Sequence, residues 1–89
     1  MIHSSACEYA IRAMTHMASV PTGTRMLARN VAAHDRIPAP FLGKVFQTLV
    51  RADLLESNKG PGGGFSLARD PATITLFDIY SAIDGTTYL

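Results

Sequence analysis

One cysteine, Cys7, stands among the 89 residues of this chain. No internal disulfide can therefore form, and a reducing cytoplasm is the expected setting. No stretch approaches the ~20 consecutive apolar residues of a membrane span. The opening Met1-Ile2-His3-Ser4 lacks both the basic start and the apolar run of a secretory signal. Internal repeats, linkers and low-complexity runs are missing too, so residues 1–89 read as a single domain. Nor is there a Ser-His-Asp arrangement, a paired carboxylate or a zinc signature, and the chain is not expected to be an enzyme. The one glycine-rich segment, 60–64, lacks the Lys-Ser/Thr ending of a phosphate-cradling loop and leads into a short strand rather than a helix.

What is present is an apolar content of 47%, enough for one core, and an uneven charge. Residues 1–69 carry all eight Lys and Arg against Glu8, Asp35, Asp53 and Glu56, a balance of +4. Residues 70–89 carry Asp70, Asp78 and Asp84 with no Lys or Arg, a balance of −3. A basic body with an acidic end is compatible with a polyanion met on one side.

Periodicity places the elements. Ser5 and Glu8 have the S-x-x-E spacing of a capping box, and Ala6, Ala10, Ala13, Met14, Met17 and Ala18 follow at helical spacing until Pro21-Thr22-Gly23. An extended piece, Thr24-Arg25-Met26, precedes a second helix over about 27–34. After Asp35-Arg36-Ile37, a third helix starts at Pro38 or Pro40 and runs to about Ala52. Leu42, Val45, Phe46 and Leu49 make its apolar face; Gly43, Lys44, Gln47, Thr48 and Arg51 lie opposite. Helices joined so tightly are the pattern of a helix-turn-helix. Strands 55–57 and 65–67 flank Asn58-Lys59-Gly60-Pro61-Gly62-Gly63-Gly64, where Pro-Gly suits a type II turn. A last helix starts near Thr75, turns Ile79, Ala82 and Ile83 inward and stops at Gly85. The order is that of a winged helix-turn-helix: mainly α with a small β-hairpin.

Several segments carry a resemblance to the bacterial Rrf2 regulators. They are Glu8–Ala13, Ile37-Pro38 with Phe41-Leu42, Leu49-Val50 with Ala52 and Leu54, and above all Lys59–Phe65 with Leu67-Ala68-Arg69 and Pro71; Ile74–Leu76, Asp78-Ile79 and Ala82–Gly85 complete the match. The resemblance implies a transcription regulator, in the first instance a repressor, that binds double-stranded operator DNA as a homodimer. The third helix would enter the major groove and the wing would lie at the minor groove. Lys59, Asp53 and Gly43 depart from the family pattern, which commonly has Arg, Gly and a larger polar residue there. Relatives continue into a long dimerisation helix that is absent here, so a fragment of a longer protein is the expectation.

The stripe Lys44, Gln47, Thr48 and Arg51 would be merely solvated on an isolated helix; the tight turn before it and the wing after it favour DNA contact. Lys59 with Gly60, Gly62, Gly63 and Gly64 would bring charge and bare backbone to the duplex, and Ser4, Ser5 and Arg25 could meet phosphates. Phe41 is assigned to the core. Some cluster-binding relatives recruit non-cysteine ligands from this domain, and Glu8 and His34 are residue types able to serve. Locally, Glu8 completes the capping box and His34 suits a helix C-terminus. With one cysteine no complete iron–sulfur site exists in these residues, so no cofactor is expected except a cluster in a longer form. His3 and His16 have no partner at metal-ligand spacing. The competing reading is a protein-interaction module using Phe77, Tyr80, Tyr88 and Leu89.

Overall fold

The computed structural model describes residues 4–85. Helix α1 (Ser5–Ala18) is capped by Ser4, not by Ser5: the Ser4 hydroxyl accepts from the Cys7 N–H at 3.1 Å. The Ser5–Glu8 box is thus replaced. Its rival wins through a tertiary tie invisible to local spacing. The Ser4 N–H donates to an Asp84 carboxylate oxygen at 3.0 Å and the Ser4 hydroxyl donates to the same carboxylate at 2.9 Å. Cys7 lies buried beneath this contact, and burial, reinforced by the Asp84 charge, raises its thiol pKa. It acts as a small core residue.

Helices α2 (Ala28–Asp35) and α3 (Ala39–Arg51) are separated by Arg36, Ile37 and Pro38. Two helices end by the same device, a residue in the left-handed region followed by an N–H that reaches back five residues. After α2 the pair is Arg36 (φ 57) and Ile37, whose N–H meets the Ala32 carbonyl at 2.9 Å. After α3 it is Asp53 (φ 64) and Leu54, whose N–H meets the Leu49 carbonyl at 3.0 Å. In both cases the residue after the turn is a buried aliphatic, so the reversal is pinned by the core. Asp53 stands where relatives commonly have Gly, and Asp tolerates the left-handed region; Arg36 carries no such signal in the sequence. Pro38 proves to be the N-cap of α3 and Pro40 its second residue, where no N–H is needed.

Strands β1 (Leu55–Ser57) and β2 (Phe65–Leu67) pair antiparallel in the register Leu55–Leu67, Glu56–Ser66 and Ser57–Phe65. Met26 adds a one-residue third strand, exchanging two 2.8 Å backbone hydrogen bonds with Phe65. A 3-10 turn (Pro71–Thr73) leads to helix α4 (Leu76–Ile83), which opens with a capping box between Thr75 and Asp78.

The core is assembled from the apolar faces read in the sequence. Ala10, Ala13, Met14 and Met17 of α1 meet Val31 and Ala32 of α2, Leu42, Val45, Phe46 and Leu49 of α3, and Ile79 of α4. Phe46 is fully buried and meets Phe65 edge-on at 5.0 Å between ring centroids; its removal should cost roughly 3–5 kcal/mol. That contact ties the wing to α3. Phe41 is half-buried against the core with Tyr9 edge-on at 5.3 Å. No described helix is long and apolar enough to cross a membrane.

Candidate nucleic-acid interface

Because α3 buries Leu42, Val45, Phe46 and Leu49, its opposite side must face outward. Lys44, Gln47, Thr48 and Arg51 stand at i, i+3, i+4 and i+7, so they share an arc about 100° wide. Lys44, Gln47 and Arg51 are exposed and Thr48 is half-buried. The Thr48 hydroxyl donates to the Lys44 carbonyl at 3.3 Å and accepts from the Arg51 guanidinium at 3.2 Å. Arg51 is thereby laid along the stripe instead of hanging loose. Gly43 stands beside the stripe, and a side chain there would meet open space.

The wing follows from its glycines. The Gly63 N–H meets the Gly60 carbonyl at 2.9 Å across Pro61 and Gly62, and Gly62 has φ 87, the geometry of a type II turn. Gly64 has another task. It has φ 92, and a Cβ there would stand 3.1 Å from the Met26 carbonyl oxygen, so only glycine lets the third strand close. Asn58 holds the neck of the hairpin: its backbone N–H and side-chain amide both reach the Gly64 carbonyl, and the amide also reaches the Ser66 hydroxyl. Lys59, Gly60 and Gly62 are exposed, while Gly63 and Gly64 are half-buried.

Arg25 joins them. A Cβ on Gly60 would lie 3.6 Å from an Arg25 guanidinium nitrogen, so two cations, Arg25 and Lys59, serve one hairpin. The sequence suggested Arg25 only as a phosphate contact at a strand end. The signal that could have found its place is Met26, an apolar residue in an extended piece of matching length. Among the described residues, Arg69 is the only Lys or Arg in an ion pair, with Asp78 at 3.2 Å. Lys44, Arg51, Arg25 and Lys59 keep their charge for a partner.

Ser5 is exposed at the first position of α1, whereas the Ser4 hydroxyl is occupied by Cys7 and Asp84. Glu8 is exposed on the first turns of α1. It lies about 12 Å along the helix from position 16, so α1 does not bring it to His34. What His34 does meet is unexpected. Its Nδ1 is 2.9 Å from one Asp35 oxygen, and His16 Nδ1 is 3.0 Å from the other. The sequence reading that left His16 without a partner is therefore overturned: its partners come from another helix, across the α1–α2 contact. Hydrogen bonds from His34 and His16 outweigh the upward push of desolvation and lower the Asp35 pKa. Of the apolar acidic end, Phe77 is 73% exposed and Tyr80 half-buried, while Tyr88 and Leu89, like His3 near the N-terminus, lie outside the described residues.

Comparison with known proteins agrees with this architecture. A family model described as Rrf2, iron-dependent transcriptional regulator, matches residues 3–89. The Mycobacterium tuberculosis HTH-type transcriptional regulator Rv1287 is 37% identical over 82 residues, covering 92% of this chain and 51% of the relative. An Aquifex aeolicus HTH-type transcriptional regulator is 39% identical over 79 residues, covering 89% of this chain and 54% of the relative. The chain thus spans about half the length of the curated relatives it matches. Among solved structures, T. potens IscR superposes with a TM-score of 0.86 at 27% identity, over 97% of this chain and 63% of that one. CymR, the global cysteine regulator of B. subtilis, shares the fold with a TM-score of 0.88 at 24% identity, over 96% of this chain and 66% of that one. The family and these relatives are described as transcriptional regulators, not enzymes.

Proposed function

The chain belongs to the Rrf2 family of transcriptional regulators, and on that premise we propose that it binds double-stranded operator DNA through α3 and the wing. The observation that carries the reading is the outward-facing stripe Lys44, Gln47, Thr48 and Arg51, whose two cations have no carboxylate partner among the described residues, on a helix otherwise packed into the core. Gln47 and Thr48 supply donors and acceptors for base edges. Lys44 and Arg51 hold phosphates or read guanine. Beside them Lys59 and Arg25 neutralise phosphates, and the bare backbone of Gly60, Gly62, Gly63 and Gly64 permits close approach. Ser5, at the N-terminus of α1, is a further phosphate donor.

The operator is pseudo-palindromic and bound by a homodimer, with half-sites about one helical turn, ~34 Å, apart. Repression then follows from occupancy of the operator. An iron–sulfur cluster belongs only to a longer form, and because α1 keeps Glu8 away from His34, only one of these two candidates in a protomer would serve it as a non-cysteine ligand. The setting is the bacterial cytoplasm.

The test is a titration of labelled duplexes from a random-sequence pool at two salt concentrations. Binding that weakens steeply with salt is expected, and Lys59→Ala should reduce the slope of log K against log[salt] by about 1. An unchanged slope in that variant refutes the wing's part, and no binding at low salt refutes the reading. One observation favours a second reading, a protein-docking module: Leu76 and Phe77 are 66% and 73% exposed. Leu76 lines an apolar cleft with Met14, Ala18, Leu67, Pro71, Ile74 and Ile79, and Phe77 lines a second cleft with Leu54 and Ala82.

A further inference from the structure

We infer that His16, His34 and Asp35 form a binding site for a divalent transition-metal ion of the zinc type. The last full turn of α1 contributes His16, and the end of α2 contributes the other two. One oxygen of Asp35 stands 3.0 Å from His16 Nδ1 and the other 2.9 Å from His34 Nδ1. The two rings face each other at 4.3 Å between centroids. One donor atom from each residue falls within 4.8 Å of the others.

Those spacings suit a metal. With Zn–N and Zn–O bonds near 2.0–2.2 Å, the edge of a coordination tetrahedron is about 3.4 Å. The two Asp35–histidine distances need open by only a few tenths of an ångström, while the widest-spaced donors, up to 4.8 Å apart, must close by about 1.4 Å, a movement within the reach of the exposed His34 side chain. Two imidazoles and one carboxylate suit Zn²⁺ or Co²⁺, and provide too few oxygens for Ca²⁺ or Mg²⁺. The site is anchored and open at once. His16 and Asp35 side chains are 15% and 17% exposed and fixed by the α1–α2 contact, while His34 is 70% exposed and leaves room for water as a fourth ligand.

The neighbouring charge is directed elsewhere. The Arg12 guanidinium donates to the Asp35 backbone carbonyl and lies over the Tyr9 ring, leaving both carboxylate oxygens to the histidines. Its positive charge lowers the affinity without blocking a ligand. A single carboxylate needs only one histidine to satisfy an ion pair, and the second imidazole at the same group is what coordination adds. The ion would cross-link α1 to the end of α2, at the turn that delivers α3.

The test is a Co²⁺ titration of the purified, untagged protein, followed by visible d–d absorption and then by competition with Zn²⁺. One equivalent of bound Co²⁺, displaced by Zn²⁺, is expected. His34→Ala, at an exposed position that should not disturb folding, should weaken binding at least tenfold, as should His16→Gln, and His3→Ala should leave it unchanged. A spectrum that never departs from the free ion would overturn the site, leaving the cluster a hydrogen-bonded staple between helices. Equal binding by wild type and His34→Ala would overturn it as well.

Discussion

The two ends of this molecule use charge in opposite ways. Around α4, Asp70, Asp78 and Asp84 each hold a structural hydrogen bond. Asp70 accepts from the Ala72 N–H, Asp78 from the Thr75 N–H and Arg69, and Asp84 from Ser4. On α3 and the wing, Lys44, Arg51, Arg25 and Lys59 have no carboxylate partner among the described residues. The acidic end seen in the sequence is thus a set of caps and staples, and the basic body contains the charges available to a polyanion. Net charge by region could not distinguish these roles, because a cap needs a geometry that composition does not carry.

Breaking the wing should produce the largest effect. Gly64→Ala places a Cβ against Met26 at positive φ and should destabilise the fold by roughly 2–3 kcal/mol in denaturant melts. Next, Lys44→Ala with Arg51→Ala should weaken DNA binding on the order of 100-fold and lower the salt slope by about 2, with stability nearly unchanged. Equal loss of stability would show that the stripe is structural after all.

On the other side, Thr75→Ala removes a helix cap and should cost about 1 kcal/mol of stability with no change in DNA affinity. The same variant has a pH signature. A hydrogen bond from the Thr75 backbone, aided by the Thr75 hydroxyl and Arg69, keeps the Asp78 carboxyl below its ordinary pKa. A depressed carboxyl contributes stability that is present above its unfolded pKa and is lost as pH falls through the folded value. Melts between pH 7 and pH 3 should therefore show an acid-side loss that is shallower in Thr75→Ala. The smallest effect sharpens the comparison from within α3: Gly43→Ala, in open space on the helix, should stabilise by just under ~1 kcal/mol.

Much of the fold was legible in the residues, and for identifiable reasons. The α3 face repeats at i, i+3, i+4 and i+7, and both hairpin strands fall where the turn residues frame them. Local chemistry dictated these elements. What escaped the reading is tertiary. Ser4 replaced Ser5 as the cap because Asp84, eighty positions away, holds it. Arg25 reached the wing through the pairing of Met26 with Phe65. His16 met Asp35 across two packed helices, nineteen positions apart. The polar stripe could be read because a helix sorts its faces by spacing alone. The histidine cluster could not, because His16 lies on α1 while His34 and Asp35 lie on α2, and no single period joins them.

Amide chemical-shift mapping with duplex DNA asks where the nucleic acid lands. Perturbations should concentrate at residues 40–51, at Arg25 and at 58–63, with residues 74–83 quiet. Shifts confined to the cleft between α1 and α4, with α3 and the wing unmoved, would contradict this placement.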